Sequence, residues 1–545
     1  MQVSTVTPQE KSGGLAYKWI VAIVVIFGLF MTILDGTIVN TAIPRLQNAF
    51  GADLTSVQWV LTAYTLAQGV ATPLTAYLAS RIGNKRLYLV ALIGFTLGSA
   101  LCGLSWSLST LIIFRVVQAV FGSFLSPLAI TLLYMEFPPE ERGTAMGFLG
   151  IPILLAPAFG PTLGGYLVTY ADWQLIFYIN LPIGIVGTLL AFFFLHESQA
   201  QRVNFDFLGF VFAGVGLAAV LYGLSDAGTS GWGSGIVLSC IIGGLICLAI
   251  FTFLELSRAR QGKAVLLDLR VFGNGVFTTS IIASTLVIFA LYGGLFLIPV
   301  YLQSLRGESA YQSGLVLLPQ AFASMLAVLI GGRLVDKIGV RAVVIPGLLI
   351  MGFAMWMLTS INLTEPIGSF QMALIIRGFG MGLCLQPLSV SMLSQIKPKM
   401  LSQASSVNTT FRFVMSSLAV SVISTYVTSQ NKLHFAHLAE RVTANSPTGT
   451  FITQMQAVLM SKGSSATAAY ATALKYIGGR LQLQSYVMAM QDAFWVTLIL
   501  VGVAVIASIF VSGKSRKKKV EQVVEEEQPL TDEEKLAREE AMLAV

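Results

Sequence analysis

A handful of polar side chains stand inside stretches that are otherwise apolar, and they are where chemistry is to be sought. Asp35 lies in FGLFMTILDGTIV, Arg115 and Gln118 in LIIFRVVQAVF, Arg377 in ALIIRGFGMGL and Arg412 in VNTTFRFVMSS. Holding an ionised group near the centre of a hydrocarbon layer costs on the order of 3 kcal/mol or more, so such a group faces a polar cavity or a partner. Asp35 is the one carboxylate placed well inside a span. It reads as a proton or cation site, or as a structural pair with a neighbouring polar helix. Arg115 and Gln118, three residues apart, share one helix face; hydrogen bonding within a cavity and structural anchoring both fit them. For Arg377 and Arg412 the same two readings stand. Asn40 is a further intramembrane polar candidate.

Other chemistries lack their residues. No GxxxxGK[ST] loop is present, so ATP is not bound by that route. Gly378, Gly380 and Gly382 form a GxGxG inside an apolar run and not after a strand, which suits helix packing. His434 and His437 are three apart but have no acidic or thiol companions nearby, so no metal is expected. Cys102, Cys240, Cys247 and Cys384 all lie in apolar runs and read as small buried hydrophobes. No clustered nucleophile is visible within the spans, no cofactor is expected, and the chain is not read as an enzyme.

The elements that must position these residues follow from composition. Of 545 residues, 55% are hydrophobic and 11% charged, against roughly 25% charged in a typical globular domain. So few charges cannot cover a soluble surface of this size, which points to an all-α polytopic membrane protein. Cutting at charged and turn-rich breaks gives fourteen apolar segments: 19–42, 57–79, 87–106, 110–134, 144–169, 174–194, 206–224, 235–256, 276–303, 312–332, 342–360, 366–393, 403–428 and 492–512. Each spanning helix needs about 20 apolar residues, and the alternating strands of a barrel are missing. The first apolar run exceeds 20 residues and no small-residue cleavage site follows it, so it reads as a retained span.

Charge orients the chain. With the N-terminus inside, 23 of the 33 Lys and Arg residues fall on inner segments, including Lys85 and Arg86, Arg333 and Lys337, and the KSRKKK run at 514–519. The short outer loops hold only Arg45 and Arg306. This positive-inside pattern places both termini in the cytoplasm, and it accounts for the net charge of +7 without nucleic acid. The tail turns acidic after its basic run, and Thr531 with Glu534 forms a capping box ahead of a short helix.

The chain also repeats itself. AYLASRIGNKRLYL at 76–89 recurs as GRLVDKIGVRAVVI at 332–345, and IFRVVQAVFGSFLSP at 113–127 recurs loosely as IIRGFGMGLCLQP at 375–387. The segments therefore parse as a cytoplasmic N-terminus (1–18), a six-helix bundle (19–194), two linking helices (195–275), a second six-helix bundle (276–512) and a cytoplasmic tail (513–545). The second bundle includes an outer loop at 429–491 with helical stretches of its own, read as a cap or docking element or as a passive folded connector. Repeats of like-oriented halves place a substrate site at their interface. Between the polar residues lies GFLGIPILLAPAFGPTLGG at 147–165, whose Pro157, Gly160, Pro161, Gly164 and Gly165 suit either close packing or a conformational hinge.

These motifs carry a resemblance. LDGTIVNTAIP at 34–44, RVVQAVFGS at 115–123, Ala156–Gly165, WQLIFYINLPIG at 173–184 and PVYLQSLRGESAYQSGLVLLP at 299–319 resemble, in order, the fourteen-span drug:proton antiporters of the EmrB/QacA type in the major facilitator superfamily. The resemblance implies two six-helix bundles with two linking helices. It implies export of hydrophobic, often cationic compounds in exchange for protons, with Asp35 as the acidic first-helix residue and Arg115 as the fourth-helix arginine. A lipid or amphiphilic metabolite is the alternative cargo, and a sensor without transport a remote one. Protons, lipophilic small molecules and membrane lipids are the implied partners, a periplasmic adaptor protein is a further candidate, and the implied location is the plasma or inner membrane. In the family's cytoplasmic gating loop the chain keeps Arg81 and Gly83 but has Ala76 and Ser80 where Gly and Asp are usual. Gly332, Asp336, Gly339 and Arg341 preserve the loop in the second half. Ala119 also departs from the pattern, as does Val414–Ser417.

The topology predicts that cysteines placed at Ser446 or Ser464 react with a membrane-impermeant thiol reagent from outside the cell and that one at Ser515 does not. The reverse labelling would overturn the orientation.

Overall fold

A computed structural model describes residues 16–198, 204–263, 265–397, 400–443 and 445–511. The basic run and capping box of the tail lie outside these residues. Every regular element among them is helical, as a chain without water around its backbone requires. The first half contains α1 (Tyr17–Ile38), α2 (Ile43–Phe50), α3 (Leu54–Ala71), α4 (Leu74–Ile82), α5 (Asn84–Gly103), α6 (Leu108–Glu136), α7 (Arg142–Tyr170), α8 (Leu175–Tyr178) and α9 (Asn180–Phe194). Then come α10 (Phe207–Ser230) and α11 (Gly235–Arg260). The second half contains α12 (Gly275–Val300), α13 (Ala310–Ile338), α14 (Val340–Leu358), α15 (Ile367–Leu393), α16 (Leu401–Glu440), α17 (Pro447–Ser461) and α18 (Ala466–Ile509). Side-chain caps start several of them. Ser107 and Ser309 form capping boxes with Thr110 and Gln312, and Asn274 accepts from two amides of the first turn of α12.

Thirteen helices among the described residues are long and apolar enough to cross a membrane. The segment expected at 57–79 is not one of them; it is divided into α3 and α4 at Thr72–Pro73, and α3 carries Gln58, Gln68 and several hydroxyl side chains. Proline has no amide to donate to the preceding turn, and its ring crowds the carbonyl four residues back.

The two halves repeat in their packing. In the first, α6 packs on α1, α3 and α5, and α9 on α1 and α5. In the second, α15 packs on α12, α13 and α14, and α18 on α12 and α14. The linking helix α10 lies against both α3 and α16, while α11 packs mainly on α10.

The outer segment at 429–491 is helical, as the sequence suggests, and its first and last parts are continuous with the spans on either side. α16 has 40 residues and α18 has 44, so they run roughly 60 and 66 Å at 1.5 Å per residue. That is about twice a hydrocarbon core of roughly 30 Å. Hydrogen bonds from Ser485 to Asn431 (2.7 Å) and between His434 and Asp492 (2.7 Å) join the two long helices. Beyond them, α17 adds Ile452 to a small apolar cluster with Ala473 and Ile477 of α18.

The halves meet most extensively along α7 and α13. α7 carries the segment read as a hinge, and it is one unbroken helix through Pro152, Pro157 and Pro161. Its glycines form the contact surfaces. Gly160 lies on Thr37 of α1 and Gly164 on Ile38 of α1 and Thr41 in the turn that follows it, while a Cβ built on Gly165 would come within 2.9 Å of the backbone amide of Tyr311 on α13. Side chains at these places would push α7 away from one half or the other.

At the end that the charge pattern places in the cytoplasm, Asp336 of α13 caps α7. Its carboxylate accepts from the amides of Gly143 (2.7 Å) and Thr144 (2.8 Å) and from the Thr144 hydroxyl (2.6 Å), where the positive pole of the helix favours an anion. The Tyr134 hydroxyl of α6 donates to Val390 O of α15 at 2.8 Å, sealing the same end. Gly83 and Gly339 turn the two related loops at φ +93° and +88°, a region that favours glycine. Arg341 donates to Val511 O and Arg81 to the Tyr77 hydroxyl, so both arginines tie down their own halves. Ser80, where the family has Asp, donates to Ala76 O on its own helix. Glu197, just after α9, instead takes the amides of Lys85 and Arg86 at the start of α5.

Losing a cap of this kind costs about 0.5–2 kcal/mol, a factor of up to about 30 in an equilibrium between closed and open seams. Asp336→Ala, in a cysteine-free background carrying Met146→Cys, is expected to raise the maleimide labelling rate at the otherwise buried position 146 by several-fold. An unchanged rate would mean that the cap does not hold the seam.

Candidate functional site

Helical geometry assembles the site in the first half. Asp35 sits near the end of α1, and Arg115 and Gln118 lie one turn apart on α6. Arg115 Nη1 donates to Asp35 Oδ2 at 2.5 Å and to Gln118 Oε1 at 2.8 Å, and Gln118 Nε2 donates to Asp35 Oδ1 at 3.0 Å. The arginine thus reaches the carboxylate both directly and through the glutamine. Close approach of α5 and α6 makes the fit possible, since a Cβ on Gly98 would lie 2.8 Å from Gln118 Cα.

Three further residues complete the cluster. Asn180, the first residue of α9, donates to Asp35 Oδ1 at 2.8 Å and to Ser99 Oγ of α5 at 3.0 Å; the Ser99 hydroxyl donates to Phe177 O at 2.9 Å. Tyr64 of α3 places its ring 3.8 Å from the Arg115 guanidinium carbon, and Arg115 Nε reaches Val60 O at 3.5 Å. Asp35, Arg115, Gln118, Asn180 and Ser99 are all completely buried. Asn180 lies within the WQLIFYINLPIG motif, but nothing in its spacing reveals that it faces Asp35. Tyr64 had no signal beyond being aromatic within a span.

A buried ion pair holds only when its remaining hydrogen-bonding capacity is met. Asp35 takes three donors from two other helices, and Arg115 stacks on an aromatic face, which adds attraction in a desolvated setting. Arg115 Nη2 and Asn180 Oδ1 are left without partners among the described residues. With Asp35 ionised, α1 is drawn to α6 and α9 by charge. Protonation would remove the charge attraction and leave Arg115 on Tyr64 and Val60.

The remaining candidates lie elsewhere. Asn40 is exposed on the 3₁₀ turn Val39–Ala42 and is outside the cluster. Arg412 is partly buried on α16. Arg377 is completely buried on α15 and donates to Ala290 O (3.0 Å) and Leu291 O (3.1 Å) of α12. His434 pairs with Asp492.

The sequence profile of the Major Facilitator Superfamily matches residues 25–420, and the chain belongs to this superfamily of membrane transporters. It is a multi-pass protein of the cell membrane. It is 37% identical to YhcA, an uncharacterized MFS-type transporter of Bacillus subtilis, over 92% of this chain and 95% of that one. It is 32% identical to the fatty acid resistance protein FarB of Neisseria gonorrhoeae over 80% and 85% of the two chains. With the multidrug export protein EmrB of Escherichia coli it shares 28% identity over 91% and 96%. Among solved structures, the fold resembles the proton:xylose symporter XylE with a TM-score of 0.56 at 14% identity, covering 91% and 96% of the two chains.

Removing one donor from a buried carboxylate is worth about 1–3 kcal/mol. Asn180→Leu is expected to lower the thermal unfolding midpoint of the purified protein measurably. Ser99→Ala, whose hydroxyl reaches Asp35 only through Asn180, should lower it less. The reverse order would show that Asn180 does not support Asp35.

Proposed function

We propose that the protein is a proton-coupled exporter of lipophilic compounds, often cationic ones, working by alternating access. The observation that carries this reading is the fully buried Asp35–Arg115 pair with its Gln118 and Asn180 donors. A transporter driven by protons needs a group whose protonation differs between its two facing states, because a ligand shifts an equilibrium only through differential affinity. Asp35 is such a group. Its charged form is held by three donors, and desolvation by the surrounding helices opposes that charge whenever the donors move away. Proton entry at Asp35 weakens the attraction of α1 for α6 and α9. Loss of the proton on the other side restores it, and cargo moves in the opposite direction. The names of EmrB and of the lincomycin resistance protein LmrB of Listeria monocytogenes, 31% identical, support drug export. The name of FarB favours a second reading, in which the cargo is an amphiphilic lipid-like compound.

Everted vesicles with an imposed proton gradient test this. Asp35→Asn is expected to leave insertion intact and abolish gradient-driven dye movement, and Arg115→Ala to reduce it at least tenfold. Uphill export of a monovalent cationic dye with proton counterflow in Asp35→Asn would place the proton carrier elsewhere.

A further inference from the structure

One face of α13 is turned away from the bundle. Leu315, Phe322, Leu326 and Ile330 lie exposed along it, and the same face continues to Arg333 and Lys337, which are exposed too. Spacings of three, four and seven residues keep them on one side of the helix. The apolar part, from Leu315 to Ile330, covers about 22 Å at 1.5 Å per residue, most of a hydrocarbon core of roughly 30 Å. The two cations follow about 5 and 10 Å further on, at the end that the charge pattern places in the cytoplasm. This stripe is therefore a lipid-facing surface that ends at the level of the inner headgroups.

At that level the surface is indented. A cavity of about 350 Å³ lies between α7 and α13, lined by Phe148 of α7 and by Leu329, Ile330, Arg333, Leu334 and Lys337 of α13. Trp19 of α1 stands edge-on to Phe148, with ring centroids 4.9 Å apart, and tryptophan favours the boundary between hydrocarbon and headgroups. No ion pair among the described residues includes Arg333 or Lys337. Asp336, between them in sequence, is taken by Gly143 and Thr144, and Glu141, just before α7, pairs with Lys18.

A guest suited to this groove carries a negative group at the cytoplasmic level and an apolar chain that enters the bilayer. A soluble anion gains nothing from Leu329, Ile330 and Phe148, and a lipid without net charge leaves the cations unbalanced. Basic pockets between spans on the cytoplasmic side suit anionic lipid headgroups, and arginine meets a phosphate through charge-assisted hydrogen bonds.

We propose that this groove binds an anionic phospholipid of the inner leaflet, its phosphate on Arg333 and Lys337 and an acyl chain beside Ile330 and Phe148, and that the lipid favours closure of the seam. Phe148 belongs to the first half and the other lining residues to the second, so the groove is complete only while α7 and α13 are together at this end. A ligand that prefers one arrangement shifts the equilibrium towards it.

Native mass spectrometry of the purified full-length protein, released from bilayers of equimolar phosphatidylglycerol and phosphatidylcholine, measures which lipid is retained. Phosphatidylglycerol is expected to be retained at least fivefold over phosphatidylcholine. Arg333→Gln combined with Lys337→Gln should abolish that preference. Ile330→Trp keeps both charges but fills the groove, and should reduce the preference at least threefold. Arg260→Gln combined with Lys263→Gln, at the corresponding end of α11, should leave it intact. All of these substitutions fall on exposed side chains, so the fold is retained. Equal retention of the two lipids by the wild type, or an undiminished preference in the Arg333/Lys337 variant or in Ile330→Trp, would overturn the site. So would an equal loss in the α11 variant, which indicates a general interfacial charge effect, or displacement of the lipid by glycerol 3-phosphate, which indicates a soluble phosphate. For the seam, maleimide labelling of Met146→Cys in the cysteine-free background should be at least threefold slower in phosphatidylglycerol than in phosphatidylcholine bilayers. Adding the Arg333/Lys337 substitutions should make the two rates equal. Equal rates with the groove intact would overturn the lipid's hold on the seam.

Discussion

A charge inside a hydrocarbon layer has no water to fall back on, so every group that stabilises it must be supplied by the protein. That constraint explains why helices of the first half converge as they do. Asp35 draws donors from α6 and α9, and Arg115 leans on the Tyr64 ring of α3. Four helices are thus positioned by one carboxylate and its arginine. Coulomb energy is large where the dielectric constant is low, so removing either charge would weaken the whole arrangement.

The seam between the halves obeys a different rule. α7 must stay close to both α1 and α13, and helices approach closely only where side chains are small. Gly160 and Gly164 serve α1, while Gly147 and Gly165 serve α13. The prolines at 152, 157 and 161 leave the helix unbroken, although each lacks the amide that would bond to the turn before it. α7 accordingly lacks three internal amide donors. Its end is secured from outside its own sequence, by Asp336.

Much of this was legible in the sequence, for identifiable reasons. Asp35 and Arg115 stand out because an ionisable residue in an apolar run contradicts its surroundings, and Gln118 follows from helical spacing. Asn180 does not stand out, because its partner lies 145 positions away and only tertiary packing brings them together. Asp336 was recognisable by resemblance, but its partner, the start of α7, was not. The capping of α5 by Glu197 was likewise hidden, since the carboxylate comes from a distant part of the chain. Hydropathy located the membrane portions of α16 and α18 but not their continuity with the outer helical stretches, because a helix can continue into water on polar and small residues with no change in backbone geometry. The break at Pro73 carried its own signal, which the continuous apolar reading of 57–79 overrode.

The length of α16 and α18 has a mechanical consequence. Each is a single helix from its membrane portion to its extramembrane end, and the Asn431–Ser485 and His434–Asp492 bonds make the pair one lever. A tilt of about 10° within the bilayer would displace a point about 30 Å further along a straight helix by roughly 5 Å. A small rearrangement around the second half is therefore amplified at the tip, where α17 is mounted. Length alone therefore sets the scale on which any tilt of the second half would be seen outside the membrane.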